Sequence, residues 1–356
     1  MHRVPIRVLV VDDSSFMRKA LCGMLAGDAS IGEVQTARNG EEALQKISTW
    51  KPDVVTLDIE MPVMDGLDAL RKIMEMHPLP VLMVSSLTTK GAEATLQALE
   101  LGAVDFVPKQ LDGVVTNIAG VHHELVAKVI AAADMAGRIR PRLSVASRSA
   151  VIAPAKGLSS QSTCATRGSK IVAIGCSTGG PQALSELLPL FPKDFPAGIV
   201  IVQHMPKCFT KPFADRMNAQ CEIEVREANE SDEVTPGVAL LAPGGLQLRL
   251  GRKKAARIGV ELKPNSEGHL HAPSVDVMMQ SVAQLYADRA VGVILTGMGQ
   301  DGLEGMRAIK KGKGRTVAQN EASCTVYGMP RAVIDNGCAD KVVPLSQIAG
   351  EIMNMI

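Results

Sequence analysis

The sequence predicts an α/β protein of two domains, each a mostly parallel sheet covered by helices, joined by an irregular linker. Three observations carry this reading. Short apolar runs alternate with amphipathic stretches over the first third of the chain, the rhythm stops between 137 and 169, and it resumes at Lys170. Parallel strands need helical crossovers, and strands covered on both faces read as continuous apolar runs.

In the first domain, Arg7–Val11 reads as a buried strand and Ser15–Leu25 as a helix with Phe16, Ala20, Leu21 and Leu25 inward. Val34–Ala37 is the second strand, and Asn39 caps a helix over Glu41–Ser48. A strand at Val54–Leu57 and a helix near Leu67–Glu75 follow. Then come a strand at Val81–Val84, a helix at Lys90–Leu101 stopped by Gly102, a strand at Asp105–Val107 and a helix at Val114–Ala133. Five βα units imply a parallel sheet with helices on both faces. The domain is placed at residues 5–128.

Residues 137–169 are rich in Ser, Ala, Arg, Pro and Gly without a sustained period, the composition of a flexible linker. Within it, Leu143–Ile152 could dock on a neighbouring surface. The second domain, 170–356, has expected strands at Ile171–Ile174, Ile199–Val202, Glu222–Val225, Val238–Leu241, Ile258–Leu262, Val291–Leu295 and Thr316–Ala318. Its expected helices are Pro181–Leu190, Lys211–Ala219, Val275–Ala287, Leu303–Lys310 and Met329–Asp335. The stretch 238–263 lacks helical periodicity and reads as a β-hairpin insertion.

Composition narrows the function classes. The 356 residues include 38 basic and 37 acidic side chains, so there is no electrostatic footprint for nucleic acid. No apolar run approaches the roughly 20 residues of a membrane span. The N-terminal MHRVPIRVLVVDD runs directly into a strand without a signal-peptide pattern. Seven scattered cysteines with no CxxC pair argue for reduced thiols, so a cytoplasmic location without membrane insertion is expected.

Ligands of open parallel sheets gather at the carboxyl ends of the strands. In the first domain those ends carry Asp12 and Asp13, then Asp58, Ser85 and Lys109. Clustered carboxylates repel unless a hard cation offsets them, and Mg²⁺ with oxygen ligands does so. Asp58 is then a phosphoryl acceptor, with Asp12, Asp13, Asp58 and the Glu60 carbonyl as metal ligands. Ser85 can bond a phosphoryl oxygen, and Lys109 can neutralise the charge of the transferring group. Taken singly, an Asp ending a strand is more often a cap or a solvated turn.

In the second domain the strand KIVAIG runs into Cys-Ser-Thr-Gly-Gly-Pro and a helix. Such a turn can cradle a pyrophosphate. However, Gly175, Gly179 and Gly180 do not match G-x-G-x-x-G, and the next strand ends in Gln203-His204 rather than an acid. The same turn can instead expose Ser177 as a nucleophile, with His204 as its base and Asp301 of TGMGQDG orienting the imidazole. Simple capping by Ser177 and Asp301 is the bland alternative. Cys176 is a competing nucleophile whose side chain is expected to face inward. His204, Cys208 and Cys221 match no zinc spacing.

The ordered segments VLVVDDSSFMR, TLDIEMPVMDG, PVLMVSS and DFVPK resemble the receiver domain of bacterial response regulators. That resemblance implies a flavodoxin-like fold and phosphorylation of Asp58 by a partner histidine kinase. The chain departs from the family at Pro108 and Gln110, which flank Lys109 where a proline usually follows it. IGCSTGG, IVIVQHMP, LLAPGG, HAPSVDVMMQSVA, GVILTGMGQDGLEG and VAQNEASCTVYGMPRAV resemble the catalytic domain of the chemotaxis protein-glutamate methylesterase family, CheB. The resemblance implies a doubly wound, α/β hydrolase-type domain with a small β-hairpin. Ser177, His204 and Asp301 fall on the family's catalytic triad, and Thr178 and Met298 lie near its oxyanion site. Gln247 and Asn320 depart from the family at positions the resemblance makes peripheral.

The implied reaction is hydrolysis of glutamate methyl esters, and deamidation of glutamines, on methyl-accepting chemoreceptors. It needs no metal; Mg²⁺ belongs to the receiver alone. A fused phosphoswitch implies that the unphosphorylated receiver covers the triad cleft. A decayed-triad binding module is the second function class, disfavoured by the intact Ser, His and Asp. A DNA-binding regulator would need a basic recognition helix, which the sequence lacks.

Overall fold

The computed structural model describes residues 5–109, 118–135, 169–253 and 257–356. The predicted linker, its docking segment and Gln110 therefore lie outside the described residues, apart from Ser169.

The N-terminal domain alternates β1 (Ile6–Val11), α1 (Ser15–Leu25), β2 (Ile31–Ala37), α2 (Gly40–Trp50), β3 (Val54–Asp58), α3 (Gly66–Met76), β4 (Val81–Ser85), α4 (Thr89–Leu101), β5 (Asp105–Pro108) and α5 (Ile118–Ala133). The parallel sheet has the order β2-β1-β3-β4-β5. β3 and β4 are buried throughout, as continuous apolar strands between two helical layers must be. Asn39 caps α2 through Glu42 N–H, and Gly102 ends α4 in the left-handed region, both as expected. Phe16 departs from expectation, with 67% of its surface exposed. It stands five residues, or roughly 140° of helical rotation, from Leu21, and so lies off the buried stripe of α1.

The C-terminal domain contains β6 (Ile171–Cys176), α6 (Gly180–Leu187), β7 (Gly198–Gln203), α7 (Lys207–Asn218), β8 (Glu224–Glu227) and β9 (Val238–Leu241). A hairpin of β10 (Leu246–Arg252) and β11 (Ile258–Pro264) follows, then α8 (Val275–Tyr286), β12 (Ala290–Ile294), α9 (Leu303–Lys311), β13 (Arg315–Gln319), α10 (Met329–Asp335), β14 (Lys341–Val343) and α11 (Leu345–Met355). Seven strands form one parallel sheet in the order β14-β13-β12-β6-β7-β9-β8, and β10-β11 is a separate antiparallel pair.

The expected insertion over 238–263 is therefore corrected. β9, an unbroken apolar VALL, is an interior parallel strand between β7 and β8, and only the alternating LQLRLGR begins the hairpin. Helix α7 starts four residues before the expected Lys211, because Pro212 lies inside it and masks its first turn in the sequence. The terminal β14 and α11 have no counterpart among the expected elements. β14 is a three-residue edge strand with little burial, while α11 buries Leu345, Ile348, Ala349 and Ile352 at helical spacing.

The two domains meet where α4 packs along α7 and the start of α6. Phe106 of β5 stacks on Phe209 of α7, and Glu100 pairs with Arg216 and accepts from Gln220 Nε2 at 3.3 Å. One apolar core cluster runs continuously through this junction. Beside it, an open cleft of about 710 Å³ is lined by Leu96, Leu99, Leu101, Pro181, Phe213 and Met217 among others.

Candidate active site and phosphoacceptor site

The N-terminal sheet changes winding direction between β1 and β3, which opens a crevice at their carboxyl ends. Asp12 follows β1 and Asp58 ends β3; both are buried, whereas Asp13 is exposed. Carboxylate oxygens of the three lie within 4.8 Å of one another. Lys109, just past β5, places Nζ 2.8 Å from Asp58 Oδ2 and 2.9 Å from Asp12 Oδ2. Burial is the main cause that raises the Asp58 carboxyl, to about 6; Lys109 opposes the rise and the Asp12 charge adds to it. Such a set of hard oxygen donors, with a surplus of negative charge over one ammonium, fits a Mg²⁺ ion. Glu60 is exposed just beyond β3. Ser85 is not bonded to Asp58. It ends β4 with its hydroxyl donating to Gly91 O at 3.2 Å, in the first turn of α4.

The C-terminal sheet has its own switch between β6 and β12, since the chain winds outward through β7 in one direction and through β13 in the other. Cys176 pairs with Gln203, and Gly175 with Ile294, so β6, β7 and β12 end at one level. Ser177, His204 and Asp301 occupy the loops leaving those three strands. Ser177 N–H donates to Thr296 O at 3.0 Å, and His204 N–H to Cys176 O at 3.1 Å, which ties the three loops together. Gln203, almost fully buried, donates Nε2 to the carbonyls of both Ser177 and His204 at 3.0 Å. The turn into α6 needs a left-handed residue, supplied by Gly179 at φ 76°, where a side chain would also strike Thr325. At Gly297 a Cβ would stand 2.9 Å from that of Ser177, so the β12 loop can approach the serine only as glycine.

The bland capping reading does not describe this geometry. Gly179 and Gly302, not Ser177 and Asp301, stand at the starts of α6 and α9, and neither helix has a side-chain cap. Asp301 instead accepts from His204 Nε2 at 2.8 Å, Ser274 Oγ at 2.9 Å, Val275 N at 2.7 Å and Asp276 N at 3.0 Å. Burial would raise this carboxyl. The His204 hydrogen bond and charge, with the N–H groups at the start of α8, outweigh burial and hold it well below the usual range. With Nε2 on Asp301, the other ring nitrogen, Nδ1, is left over. It is buried and has no hydrogen-bond partner among the described residues.

Cys176 is fully buried with its thiol toward Val202 O, and burial pushes its pKa strongly up. A thiol kept protonated and inaccessible is a poor nucleophile. Thr178 is buried and Met298 half-buried beside the serine turn, and among the described residues neither backbone N–H donates a hydrogen bond.

Three residues take roles here that the sequence did not assign: Gln203, read there only as a strand end, Ser274, and His271, whose ring stacks on His204. The last two were visible only as members of the HAPSV segment. Gln247 is not peripheral. It is buried, donates to His271 O at 2.7 Å and accepts from Ser274 N at 2.8 Å, because a buried amide between two loops must satisfy both its donor and its acceptor. Asn320 accepts from Ser323 N and Oγ and serves a local turn.

Fold and sites together define a phosphoacceptor-type receiver joined to an α/β domain that carries Ser, His and Asp at its switch point. The response regulator receiver domain matches residues 8–115, and the CheB methylesterase domain matches residues 172–352. The chain belongs to the CheB methylesterase family. It is 49% identical over 367 residues to protein-glutamate methylesterase/protein-glutamine glutaminase 1 of Oleidesulfovibrio alaskensis, covering 99% of both chains. It is 50% identical over 366 residues to the second such protein of Nitratidesulfovibrio vulgaris, covering 98% of this chain and 99% of that one. The crystal structure of the Thermotoga maritima CheB methylesterase catalytic domain superposes with a TM-score of 0.52 at 39% identity, covering 53% of this chain and all of that one.

Proposed function

We propose that this chain is a phosphorylation-activated serine hydrolase that demethylates glutamate methyl esters, and deamidates glutamines, on chemoreceptors. The observation that carries the reading is the Asp301–His204 bond at 2.8 Å, which leaves His204 Nδ1 buried and, among the described residues, unpartnered, on the loop bonded to the strand that leads into Ser177. Residues 5–128 act as receiver, 137–169 as linker and 170–356 as catalytic unit.

Ser177 Oγ attacks the ester carbonyl as His204 Nδ1 takes its proton, and Asp301 stabilises the imidazolium. The N–H groups of Thr178 and Met298 receive the oxyanion, a contribution of roughly 3–4 kcal/mol per donor. His204 then protonates methanol as it leaves, and a water activated by the same imidazole releases the glutamate. Ammonia replaces methanol in deamidation. The hydrolysis draws on these side chains and needs no cofactor.

At the receiver, Asp12, Asp13, Asp58 and the Glu60 carbonyl would hold Mg²⁺, which would offset the charge of the phosphoryl oxygens. Asp58 accepts the phosphoryl group from a chemotaxis histidine kinase, and Lys109 pairs with it. The Ser85 hydroxyl turns from Gly91 O toward a phosphoryl oxygen, which alters the first turn of α4. Because α4 packs on α7, and α7 starts three residues after His204, the receiver shields the site until it is phosphorylated. Free cysteines and a kinase phosphodonor are in keeping with a cytoplasmic protein. Among the described residues no helix is long and apolar enough to cross a membrane.

The test is methanol release from methylated receptor with and without a small phosphodonor. Stimulated release that is lost in Asp58→Asn and abolished in Ser177→Ala supports the reading. Full stimulation in Asp58→Asn overturns the regulatory half, and retained hydrolysis in Ser177→Ala overturns the catalytic half.

A further inference from the structure

His271 has no part in the reaction just described. It lies between β11 and α8, on a loop held from beneath by buried Gln247 and by Asn265, whose Oδ1 accepts from Gln247 Nε2 at 3.1 Å and from His269 N at 3.1 Å. That support lays the His271 ring flat on His204, with centroids 4.0 Å apart and planes inclined by 19°. His204 needs such a neighbour. Among the described residues its side chain is hydrogen-bonded at one nitrogen only, and a ring held at one edge can swing about that bond. A swing of a fraction of an ångström removes the base from the line of proton transfer.

The stack also bears on charge. Burial and the adjacent His204 push the His271 pKa down to about 4, against the opposing effect of the Asp301 and Glu124 carboxylates. The ionisable groups around the pair are Asp301 from the β12–α9 loop, Asp276 from α8 and Glu124 from α5. His271 is thus uncharged near neutral pH, and a neutral aromatic face favours a cation lying against it. His204 becomes that cation only while Ser177 is being acylated or released.

We infer that His271 is a positioning residue for the hydrolysis, a neutral aromatic plate that fixes the plane of His204 and stabilises its imidazolium. The inference rests on the triad reading, and the experiment separates the two. Methanol release by the full chain, stimulated with a small phosphodonor, is measured for His271→Ala, His271→Leu, His271→Phe and Ser177→Ala.

His271→Ala and His271→Leu are expected to lower kcat by about tenfold with KM unchanged, the size a desolvated cation–π contact supports. His271→Phe, which restores a flat ring without a titrating nitrogen, recovers most of that loss and keeps the acid limb of the pH–rate profile in place. Thermal melting reports folding; should His271→Ala not fold, the Leu and Phe variants decide the matter, since both fill the space and only one has a π face.

Phe as poor as Leu overturns the inference in favour of a proton-carrying His271. Leu as good as Phe overturns it in favour of mere space filling, and an unimpaired Ala variant overturns it outright. Activity in Ser177→Ala removes the triad reading and this inference together. An inactive Ser177→Ala beside a fully active His271→Ala removes only the inference.

Discussion

Phe106 and Phe209 stack across the junction of the two domains, with ring centroids 4.4 Å apart and planes inclined by 24°. Behind Phe106, Lys128 Nζ stands 5.3 Å from the ring centroid and donates to the Phe106 carbonyl at 2.7 Å. The aromatic of β5 is therefore held from its own domain while it packs on the helix that follows His204. An aromatic pair of this kind contributes about 0.5–1.5 kcal/mol beyond its burial, comparable with the bias a regulated interface needs.

The polar edge of the same junction is open to charge reversal. Arg216 pairs with Glu100 at partial exposure, so the attraction is worth under about 1 kcal/mol, and reversal replaces it with repulsion of similar size. Arg216→Glu is expected to raise methanol release by the unphosphorylated protein up to about tenfold. Adding Glu100→Arg restores the low rate. Unchanged basal rates in both variants would count against a shielding receiver.

Adjacent nucleophile candidates can be told apart. Ser177→Ala is expected to lower ester hydrolysis on the order of 10⁵-fold, as loss of a triad nucleophile does. Cys176→Ala removes a small buried side chain, so it lowers the melting temperature by a few degrees and leaves the chemistry in place. A serine-directed phosphonate should label the second variant and not the first.

Asp301 receives four hydrogen bonds, and two come from the backbone at the start of α8. Asp301→Asn keeps the shape but turns an acceptor toward His204 into a donor at one of its two positions. The expected result is a fall in kcat of about 10⁴-fold. The substitution also costs stability, because the depressed Asp301 carboxyl stabilises the fold above the usual carboxylate range and loses that effect in strong acid. Parallel assays and denaturant melts separate the two effects.

His271 gives a pH signature of its own. Its folded pKa, about 4, lies below the ordinary 6.5, so the folded state resists protonation. The stabilising effect is complete above about pH 6.5 and is lost as the pH falls toward 4. Denaturant melts of His271→Phe should show a shallower decline across that window than the parent. An equal decline would place the titration elsewhere.

Much of both sites was legible because strand ends are legible. Asp12, Asp58 and Lys109 each follow an apolar run, and a parallel sheet brings such ends to one edge. Ser177 and His204 follow apolar runs in the same way, Asp301 sits on the glycine-rich loop after a third, and the resemblance to the CheB catalytic domain is what singles the three out. What periodicity cannot carry is the direction of a ring or the path of a loop. His204 turning Nε2 rather than Nδ1 to Asp301 depends on the torsion of one side chain. His271 reaches His204 on a loop that Gln247, more than twenty residues earlier in the β10–β11 hairpin, holds by the His271 carbonyl. β9 was assigned to that hairpin because its apolar run could be buried in either place, and only the pairing with β7 and β8 decides.

The cleft at the α4–α7 junction has a pharmacological consequence. Its apolar wall is shared by the two domains, which the proposed regulation requires to part. Ser177 is not among the residues that line the cleft, although Pro181, four residues on at the start of α6, is, so a small apolar molecule seated there need not occupy the serine turn. It would act as a wedge, favouring the parted arrangement without any phosphoryl group. On the proposed regulation, compounds selected for binding this chain divide by location: those at Ser177 inhibit the hydrolysis, while those between Leu96 and Met217 release it.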